Sequence, residues 1–294
     1  MDALELVRLP DLMKRSQGRP GVTIALIDGP VASHLPDLAS ATIREIPGKL
    51  KGTCARADTV ACTHGTFVAS MFVARRGSAA PAICPSCTLL VRPIFAEAVN
   101  GNRNMPSATP EELAEAIVDS IEAGANVINL SAALDQPSLK GQSRLEQALD
   151  YAAQSGAITV AAAGNQGMVG SSAITRHPWV ISVAACNLQG RPISESNLSR
   201  SIGRQGLIAP GEGVTSLGQD GKPRTFGGTS AAAPFVTGTI GLLWSEFPGA
   251  RASEVKLALR RSGPQPHKSL VPSLLDAWAA YEAMDSSYAG NRTQ

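Results

Sequence analysis

Two segments of this chain share one order of helix, glycine and buried strand, and that order limits the folds open to it. A capping box with proline at the first helical position, Thr109–Glu112, predicts a helix that reaches Ala123, ends at Gly124 and leads into a strand over Asn126–Ser131. The second unit has the same three parts, in the order Ser143–Ser155, Gly156 and Ala157–Ala163. Such units favour parallel strands joined by right-handed crossovers, so we predict an α/β fold with a doubly wound, mostly parallel sheet.

A further apolar run, Val22–Ile27, ends in the carboxylate of Asp28 and a glycine-proline turn. Its length and its β-branched residues are typical of a buried parallel strand. Functional groups of open α/β sheets gather at the carboxyl ends of the strands, so this position favours a functional role for Asp28. The alternative is structural, because an Asp at a strand end often opens an Asx turn.

One of the four histidines of the chain, His64, stands at the start of the apolar segment Thr63–Ala74. This segment predicts a helix with His64 on its first turn, where the imidazole is free to point toward a neighbouring group. Histidine is the most frequent general base in catalysis, so His64 is a candidate for that role.

Ser230 lies where the small-residue turn Gly227–Thr229 runs into an apolar segment, Ala231–Phe247, that predicts a buried helix. The unpaired N–H groups and the dipole of a helix N-terminus stabilise a negative oxygen that forms beside an attacked carbonyl. Ser230 is therefore a candidate nucleophile. The alternative is that this segment supplies only an ordinary N-cap.

Asp28, His64 and Ser230 follow one another in the chain order of the subtilisin triad. The motifs that contain them resemble those of the subtilase family of serine proteases, and the similarity runs from about Val22 to Leu259. A fourth motif matches as well. The four motifs are Ile27-Asp28-Gly29, His64-Gly65-Thr66, Val160-Ala161-Ala162-Ala163-Gly164-Asn165-Gln166-Gly167 and Gly228-Thr229-Ser230-Ala231-Ala232-Ala233-Pro234.

This resemblance implies a subtilisin-like three-layer α/β/α fold and the activity of a serine endopeptidase without a cofactor. It implies that Ser230 attacks the peptide carbonyl, that His64 transfers the proton and that Asp28 orients the imidazole. The side chain of Asn165 would donate a hydrogen bond to the oxyanion, together with the backbone N–H of Ser230. Water would then release the acyl group from the enzyme.

Three shorter runs, Ile27–Val31, Arg92–Ala96 and Leu207–Glu212, resemble the subtilase proteases of cyanobactin maturation, which process ribosomally made precursor peptides. Secreted subtilisins usually follow the Asp with Ser or Thr and then Gly, whereas this chain has Gly29-Pro30. The resemblance therefore favours processing of a precursor peptide.

The resemblance also places the substrate. An extended peptide would pair with an edge formed by Ser131, Ala132 and Ala133, and one wall of the primary specificity pocket would consist of Ala162, Ala163 and Gly164. Gln166 and Ser172–Ile174 would lie near the base of that pocket. Since none of these residues is acidic, we expect no strict preference for Lys or Arg. The loop Val99–Ser107 would border more distant subsites or be a plain solvent loop.

Composition agrees with one peptidase domain, residues 1–284. We predict that it ends in a surface helix over Ser273–Met284 and is followed by a polar and flexible tail, 285–294. The chain has 294 residues and a formal net charge of +2, too small to indicate a nucleic acid or a membrane surface as partner. Acidic residues stand where a signal peptide would be basic, and no apolar stretch follows them. We therefore expect a cytoplasmic protein.

Five cysteines are present, and reduced packing cysteines are the expectation for a cytoplasmic chain. If disulfides form, the local pairings are Cys54 with Cys62 and Cys84 with Cys87. No metal site is predicted. Secreted subtilisins hold calcium partly through a loop after the His helix, whereas the corresponding residues here, Arg75–Pro81, include no carboxylate.

Two other functions use the same residues. A peptide macrocyclase or transpeptidase would let an amine replace water at the second step, and it would need an element that shields the acyl-enzyme. The residues between Asp28 and His64 include no evident helical hairpin for this purpose, so hydrolysis is favoured. A catalytically idle peptide-binding scaffold is the other alternative, although the complete set of Asp, His, Ser and Asn argues against it.

Overall fold

The structure is a computed structural model that describes residues 2–56, 58–97, 108–131, 143–262 and 269–292. Within these residues, eight parallel strands form a central sheet, and two more form an antiparallel hairpin. The strands are β1 (Thr23–Asp28), β2 (Thr42–Glu45), β3 (Thr88–Pro93), β4 (Val127–Leu130), β5 (Ile158–Ala162), β6 (Ile181–Cys186), β7 (Leu207–Pro210), β8 (Val214–Leu217), β9 (Pro223–Phe226) and β10 (Ser273–Leu274).

Across the central sheet the order is β10-β7-β6-β5-β4-β1-β3-β2. The strand β1 has β3 on one side and β4 on the other, so the chain builds outward from β1 in both directions. The carboxyl end of β1 is therefore a topological switch point, where open α/β sheets form their binding crevices. Asp28 is the last residue of β1 and stands opposite Pro93 of β3, so it lies at this crevice.

Helices cover both faces of the sheet. In chain order they are α1 (Ala3–Leu6), α2 (Leu9–Arg15), α3 (Val60–Val73), α4 (Pro110–Glu122), α5 (Ser143–Gln154), α6 (Ala173–Arg176), α7 (Arg200–Gln205), α8 (Thr229–Glu246), α9 (Ala252–Arg261) and α10 (Ala277–Arg292), with a 3-10 helix at Pro36–Leu38. One hydrophobic core joins the sheet to α3 and α8, and a second joins it to α4 and α5.

The side chains of β1 show how the sequence produces these layers. Ile24 and Leu26 belong to the core of α3 and α8, whereas Ala25 and Ile27 belong to the core of α4 and α5, and all four are fully buried. Successive side chains of a strand point to opposite faces, so an unbroken apolar run fits a strand that is covered on both sides. The predicted three-layer α/β/α fold is confirmed.

The helix starts near the crevice differ from prediction. The helix α3 begins at Val60 rather than Thr63, because the Thr59 hydroxyl accepts a hydrogen bond from the Cys62 N–H and caps the helix earlier. His64 therefore lies in the second turn, and its predicted place on the first turn is wrong. The helix α8 likewise begins at Thr229, so Ser230 is its second residue.

The C-terminal region also differs. Residues Ser273 and Leu274, predicted to open a helix, instead pair with β7 as a short strand. The following helix α10 starts where the Asp276 carboxylate accepts the Ala279 N–H and continues past residue 284 to Arg292. Residues 285–292 are therefore helical rather than a tail, whereas the domain boundary at residue 284 stays a prediction.

One of the predicted cysteine pairs is bonded. Cys54 and Cys62 form a disulfide with their Cα atoms 5.7 Å apart, so the expectation of reduced cysteines is wrong for this pair. Cys84, Cys87 and Cys186 are free and buried, and the alternative pairing of Cys84 with Cys87 is wrong. Disulfides persist mainly in oxidising compartments, so the Cys54–Cys62 bond does not add support for a cytoplasmic location. That location stays a prediction. None of the described helices has the length and apolar character to span a bilayer.

Candidate active site

The carboxylate of Asp28 is the buried acidic group of the site. It is fully enclosed at the end of β1 and accepts a 2.6 Å hydrogen bond from the N–H of Gly29. Both of its oxygens also face Nδ1 of His64, at 2.8 and 3.0 Å. Since a buried carboxylate is costly unless it is paired, this contact with the imidazole fixes both side chains.

Two glycines let the helix α3 approach the end of β1 closely enough for this contact. A Cβ atom on Gly29 would lie 2.0 Å from the carbonyl oxygen of Ala61, and one on Gly65 would lie 2.4 Å from that of Pro30. Either side chain would push the helix away from the strand. The residue that follows Asp28 and the residue that follows His64 must therefore both be glycine for this packing.

The other nitrogen of His64 reaches the candidate nucleophile. Nε2 lies 3.0 Å from Oγ of Ser230, so the imidazole joins the carboxylate to the hydroxyl. Because Nδ1 donates to Asp28, the neutral ring leaves Nε2 as the acceptor for the serine O–H. Burial lowers the pKa of His64, but the charge of Asp28 and its hydrogen bond raise it, and the net result is a pKa above the usual 6.5.

Ser230 gains its position from the start of α8. Gly228 precedes the helix with φ of +100°, a conformation that residues with a side chain rarely adopt, and it turns the chain sharply before Thr229. Ser230 then lies in the first turn, where a backbone N–H has no acceptor inside the helix. Its side chain is partly exposed on the crevice, while the helix behind it is almost entirely buried.

Asn165 lies beside this turn, in the loop that follows β5. Its Oδ1 accepts hydrogen bonds from the N–H and the hydroxyl of Thr229, at 2.8 and 3.0 Å. These contacts fix the amide orientation, so the Nδ2 donor is directed away from Thr229. A Cβ atom on Gly228 would lie 2.8 Å from that Nδ2, which shows how closely the amide packs on the turn before Ser230.

The predicted substrate-binding residues lie at the ends of neighbouring strands. Ser131 directly follows β4, is buried, and accepts a 2.8 Å hydrogen bond from Nδ2 of Asn129. Ala162, Ala163 and Gly164 at the end of β5 are buried. Two further predicted residues, Ala132 and Ala133, and the loop 99–107 lie outside the described residues.

The residues predicted near the base of the specificity pocket differ in their exposure. Gln166 is exposed, and its Oε1 accepts a hydrogen bond from Asn197. Ser172 is the N-cap of the short helix α6, and Ala173 and Ile174 are buried within it. These residues remain predicted pocket residues.

Two residues at the site were not singled out by the sequence analysis. Thr229 is fully buried, accepts a hydrogen bond from the Gly164 N–H and donates to Asn165, so it connects the two loops. Its place in the Gly-Thr-Ser motif was the available signal. The ring of Phe226 lies 6.1 Å from that of His64 and 4.9 Å from that of Phe67, and no periodicity in the sequence marks it.

In the described part of the chain, the one group of side chains with the geometry for a metal ion is Cys54, Cys62 and Glu97. Its two sulfurs are joined in the disulfide. The Glu97 carboxylate accepts hydrogen bonds from the Ala55 and Arg56 N–H groups and from the Thr59 hydroxyl. This group therefore supports the loop before α3 rather than presenting free ligands.

Comparison with known proteins agrees with this geometry. The sequence pattern of the subtilase family matches residues 19–277. A thermophilic serine proteinase of Bacillus sp. (strain AK1) is 29% identical over 257 residues, which are 84% of this chain and 57% of that protein. The chain thus spans little more than half the length of this curated relative.

Solved structures give the same result. A mutant of the protease domain of PatA superimposes with a TM-score of 0.83 at 29% identity and covers 92% of this chain and 97% of its own. The prenylagaramide maturation protease PagA gives a TM-score of 0.81 at 28% identity, with coverage of 94% and 98%. These likenesses confirm the predicted resemblance to subtilases of peptide maturation. The fold, the order of Asp28, His64 and Ser230, and the match over residues 19–277 lead to one conclusion: the chain belongs to the subtilase family of serine peptidases.

Proposed function

We propose that this protein is a serine endopeptidase that hydrolyses extended peptides. The observation that carries the proposal is the position of one imidazole, His64, between the buried carboxylate of Asp28 and the hydroxyl of Ser230, at 2.8 and 3.0 Å. This arrangement supplies a nucleophile, a general base and a group that orients the base.

In the proposed reaction, Ser230 Oγ attacks the scissile carbonyl while its proton moves to Nε2 of His64. The charge of Asp28 stabilises the imidazolium, which then returns the proton to the leaving amine as the peptide C–N bond breaks. Water attacks the remaining ester with His64 again as base, and the acid product leaves Ser230 free.

The oxyanion of each tetrahedral intermediate would lie between two donors, Nδ2 of Asn165 and the backbone N–H of Ser230. Since Oδ1 of Asn165 is held by Thr229, the donor side of the amide is oriented before substrate binds. A donor that is fixed in advance stabilises developing charge without reorganisation, and removal of one such donor costs about 3–4 kcal/mol in the transition state.

The proposed substrate is a precursor peptide bound in extended form. Ser131 at the end of β4 and Ala162–Gly164 at the end of β5 lie on adjacent strands, where an added peptide strand would be held mainly by its backbone. The absence of an acidic side chain among the predicted pocket residues argues against a strict preference for Lys or Arg before the scissile bond. Support for a precursor substrate comes from PagA, a protein named as a maturation protease.

The test is digestion of a defined library of unstructured peptides, with products identified by mass. We expect pairs of products whose masses sum to that of the peptide plus one water, with the new carboxyl group on the acyl fragment, and none with Ser230→Ala. A matched control is Ser287→Ala, which removes a serine hydroxyl on α10 that donates to the Ala283 carbonyl of its own helix. Products that lack the added water would indicate cyclisation or transpeptidation instead, and a Ser230→Ala variant that still cleaves would contradict the proposal.

A further inference from the structure

The loop that carries Asn165 is held by one amide side chain, that of Asn197. This side chain is only 9% exposed. Its Oδ1 accepts hydrogen bonds from the backbone N–H groups of Gln166 and Met168, at 3.1 and 2.9 Å. Its Nδ2 donates to the carbonyl oxygen of Ala163 at 3.2 Å and to the side-chain oxygen of Gln166 at 2.6 Å. Asn197 thus binds the chain both before and after Asn165.

Backbone contacts add to this attachment. The N–H of Asn197 donates to the carbonyl of Gly164 at 2.9 Å, and the N–H of Gly167 donates to the carbonyl of Glu195 at 2.7 Å. Asn165 itself is attached through its side chain to Thr229. The two anchors therefore have different tasks: Thr229 sets the rotation of the amide, and the segment around Asn197 sets the place of the backbone that carries it.

We propose that Asn197 is a positioning residue of the oxyanion hole, which acts on the reaction through Asn165. This inference rests on the proposed function. A reacting or stabilising group must be placed to within a fraction of an ångström, and a shift of about 1 Å reduces the rate by roughly 100-fold. Four hydrogen bonds from one buried amide are a means of holding a loop to that tolerance.

The exposure of its partners separates this role from ordinary support of the fold. Of the residues that bond its side chain, Gln166 is exposed and Met168 is half-exposed, whereas Ala163 is buried, so water can replace the bonds to Gln166 and Met168. Loss of Asn197 should therefore shift the loop but lower the free energy of unfolding only slightly.

The experiment measures covalent labelling of Ser230 by a fluorophosphonate reporter, whose phosphoryl oxygen takes the place of the oxyanion. Saturation kinetics give the maximal labelling rate and the half-saturating concentration separately. For Asn197→Ala we expect the maximal rate to fall about 10- to 100-fold, while the half-saturating concentration changes by less than about threefold. Asn197→Asp keeps the acceptor but removes the donor, and we expect a fall of the same sign.

The matched control is Asn187→Ala. Asn187 also accepts two backbone N–H groups through Oδ1, from Gln189 and Arg191, but in a turn after β6. We expect this variant to label at the rate of the native protein. Thermal unfolding of each variant identifies any loss that comes from unfolded protein, and labelling is compared only below the onset of unfolding.

A double-mutant cycle with Asn165→Ala tests whether Asn197 acts through Asn165. In that background, Asn197→Ala should slow labelling by less than about threefold, because the donor it positions is already gone. Equal effects of Asn197→Ala in both backgrounds, or a native rate in Asn197→Ala, would overturn the inference while the proposed function stands. Absence of labelling in the native protein would instead overturn the proposed function and this inference with it.

Discussion

The crevice at the carboxyl end of β1 and the loop that follows α3 both hold charged side chains in hydrogen bonds, but they use them differently. In the crevice, Asp28 and His64 are nearly or fully buried, and they lead to a hydroxyl on Ser230 that is partly exposed. In the loop, Arg76 donates four hydrogen bonds to backbone carbonyls. These belong to Met13, Ser16, Ala82 and Ile83.

The difference lies in how completely the polar groups are used. A guanidinium has five N–H donors, and Arg76 engages carbonyls of the loop and of the N-terminal segment at once, so its contacts join two parts of the fold. At the crevice, the N–H of Ser230 and Nδ2 of Asn165 are the two donors that we propose for a substrate oxygen. Arg76 thus supports the fold, whereas the proposed role of the crevice residues is in the reaction.

The strongest test of this difference between the two regions is the substitution Asp28→Asn. An amide keeps the shape of the carboxylate but favours the wrong imidazole tautomer, so kcat should fall by about 10⁴-fold. The control is Asp150→Asn, because Asp150 forms a similar 3.1 Å pair with His177 away from Ser230. Peptide hydrolysis by the two variants, measured beside their thermal unfolding, should show the large loss for Asp28 alone. Equal losses would mean that the crevice pair has no special role.

The opposite test is Arg76→Met, which should affect stability and spare the reaction. Loss of four charge-assisted bonds to partly buried backbone carbonyls should lower the free energy of unfolding by about 2–3 kcal/mol. Its neighbour Arg75 pairs with Asp37 at 2.8 Å and is 64% exposed, so Arg75→Met should cost less than about 1 kcal/mol. Urea unfolding measures both variants. A fall in kcat of the folded Arg76→Met protein would contradict the assigned division of roles.

A smaller effect is expected from pH. His64 must be neutral to act as a base, and its raised pKa means that kcat falls as pH drops through a value above 6.5. Stability moves the other way: the ion pair of protonated His64 with Asp28 contributes fully below the unfolded pKa and is lost as pH rises through the folded pKa. A pH profile of kcat beside one of unfolding would show the two trends, and a kcat midpoint below pH 6.5 would contradict them.

The smallest expected effect is that of a chelator. The loop Arg75–Pro81 has no carboxylate, and Arg76 already provides a cation to the carbonyls around it. We therefore expect the same thermal midpoint with and without EDTA. A fall of several degrees on chelation would show that a bound metal stabilises the protein and would contradict this expectation.

The two regions also differ in how far the sequence predicts them. Asp28, His64, Ser230 and Asn165 were identified because each occupies a short motif at the end of a strand or the start of a helix. Their fold followed from capping boxes, glycine stops and apolar runs, which are local signals. The packing that brings them together depends on Gly29 and Gly65. Their role as contact points emerges only from the distances between α3 and the end of β1.

Other features left no local signal. Arg76 and Asn197 act on backbone groups far away in the chain, so no spacing of residue types marks them. The start of α3 was misplaced because Thr59 caps the helix without a Glu or Gln three residues later. The strand β10 has two residues, too few to show alternation, and its pairing with β7 decides its structure.

The central claim is that Asp28, His64 and Ser230 form one assembled nucleophilic site, and the most direct test is the intact mass of the protein after exposure to a fluorophosphonate. We predict a single adduct on the native chain, mapped to Ser230 by peptide mass. Neither Ser230→Ala nor His64→Ala should carry it, because the first lacks the oxygen and the second lacks the base. A native protein that stays unlabelled, or an adduct that persists in His64→Ala at the native rate, would contradict the account.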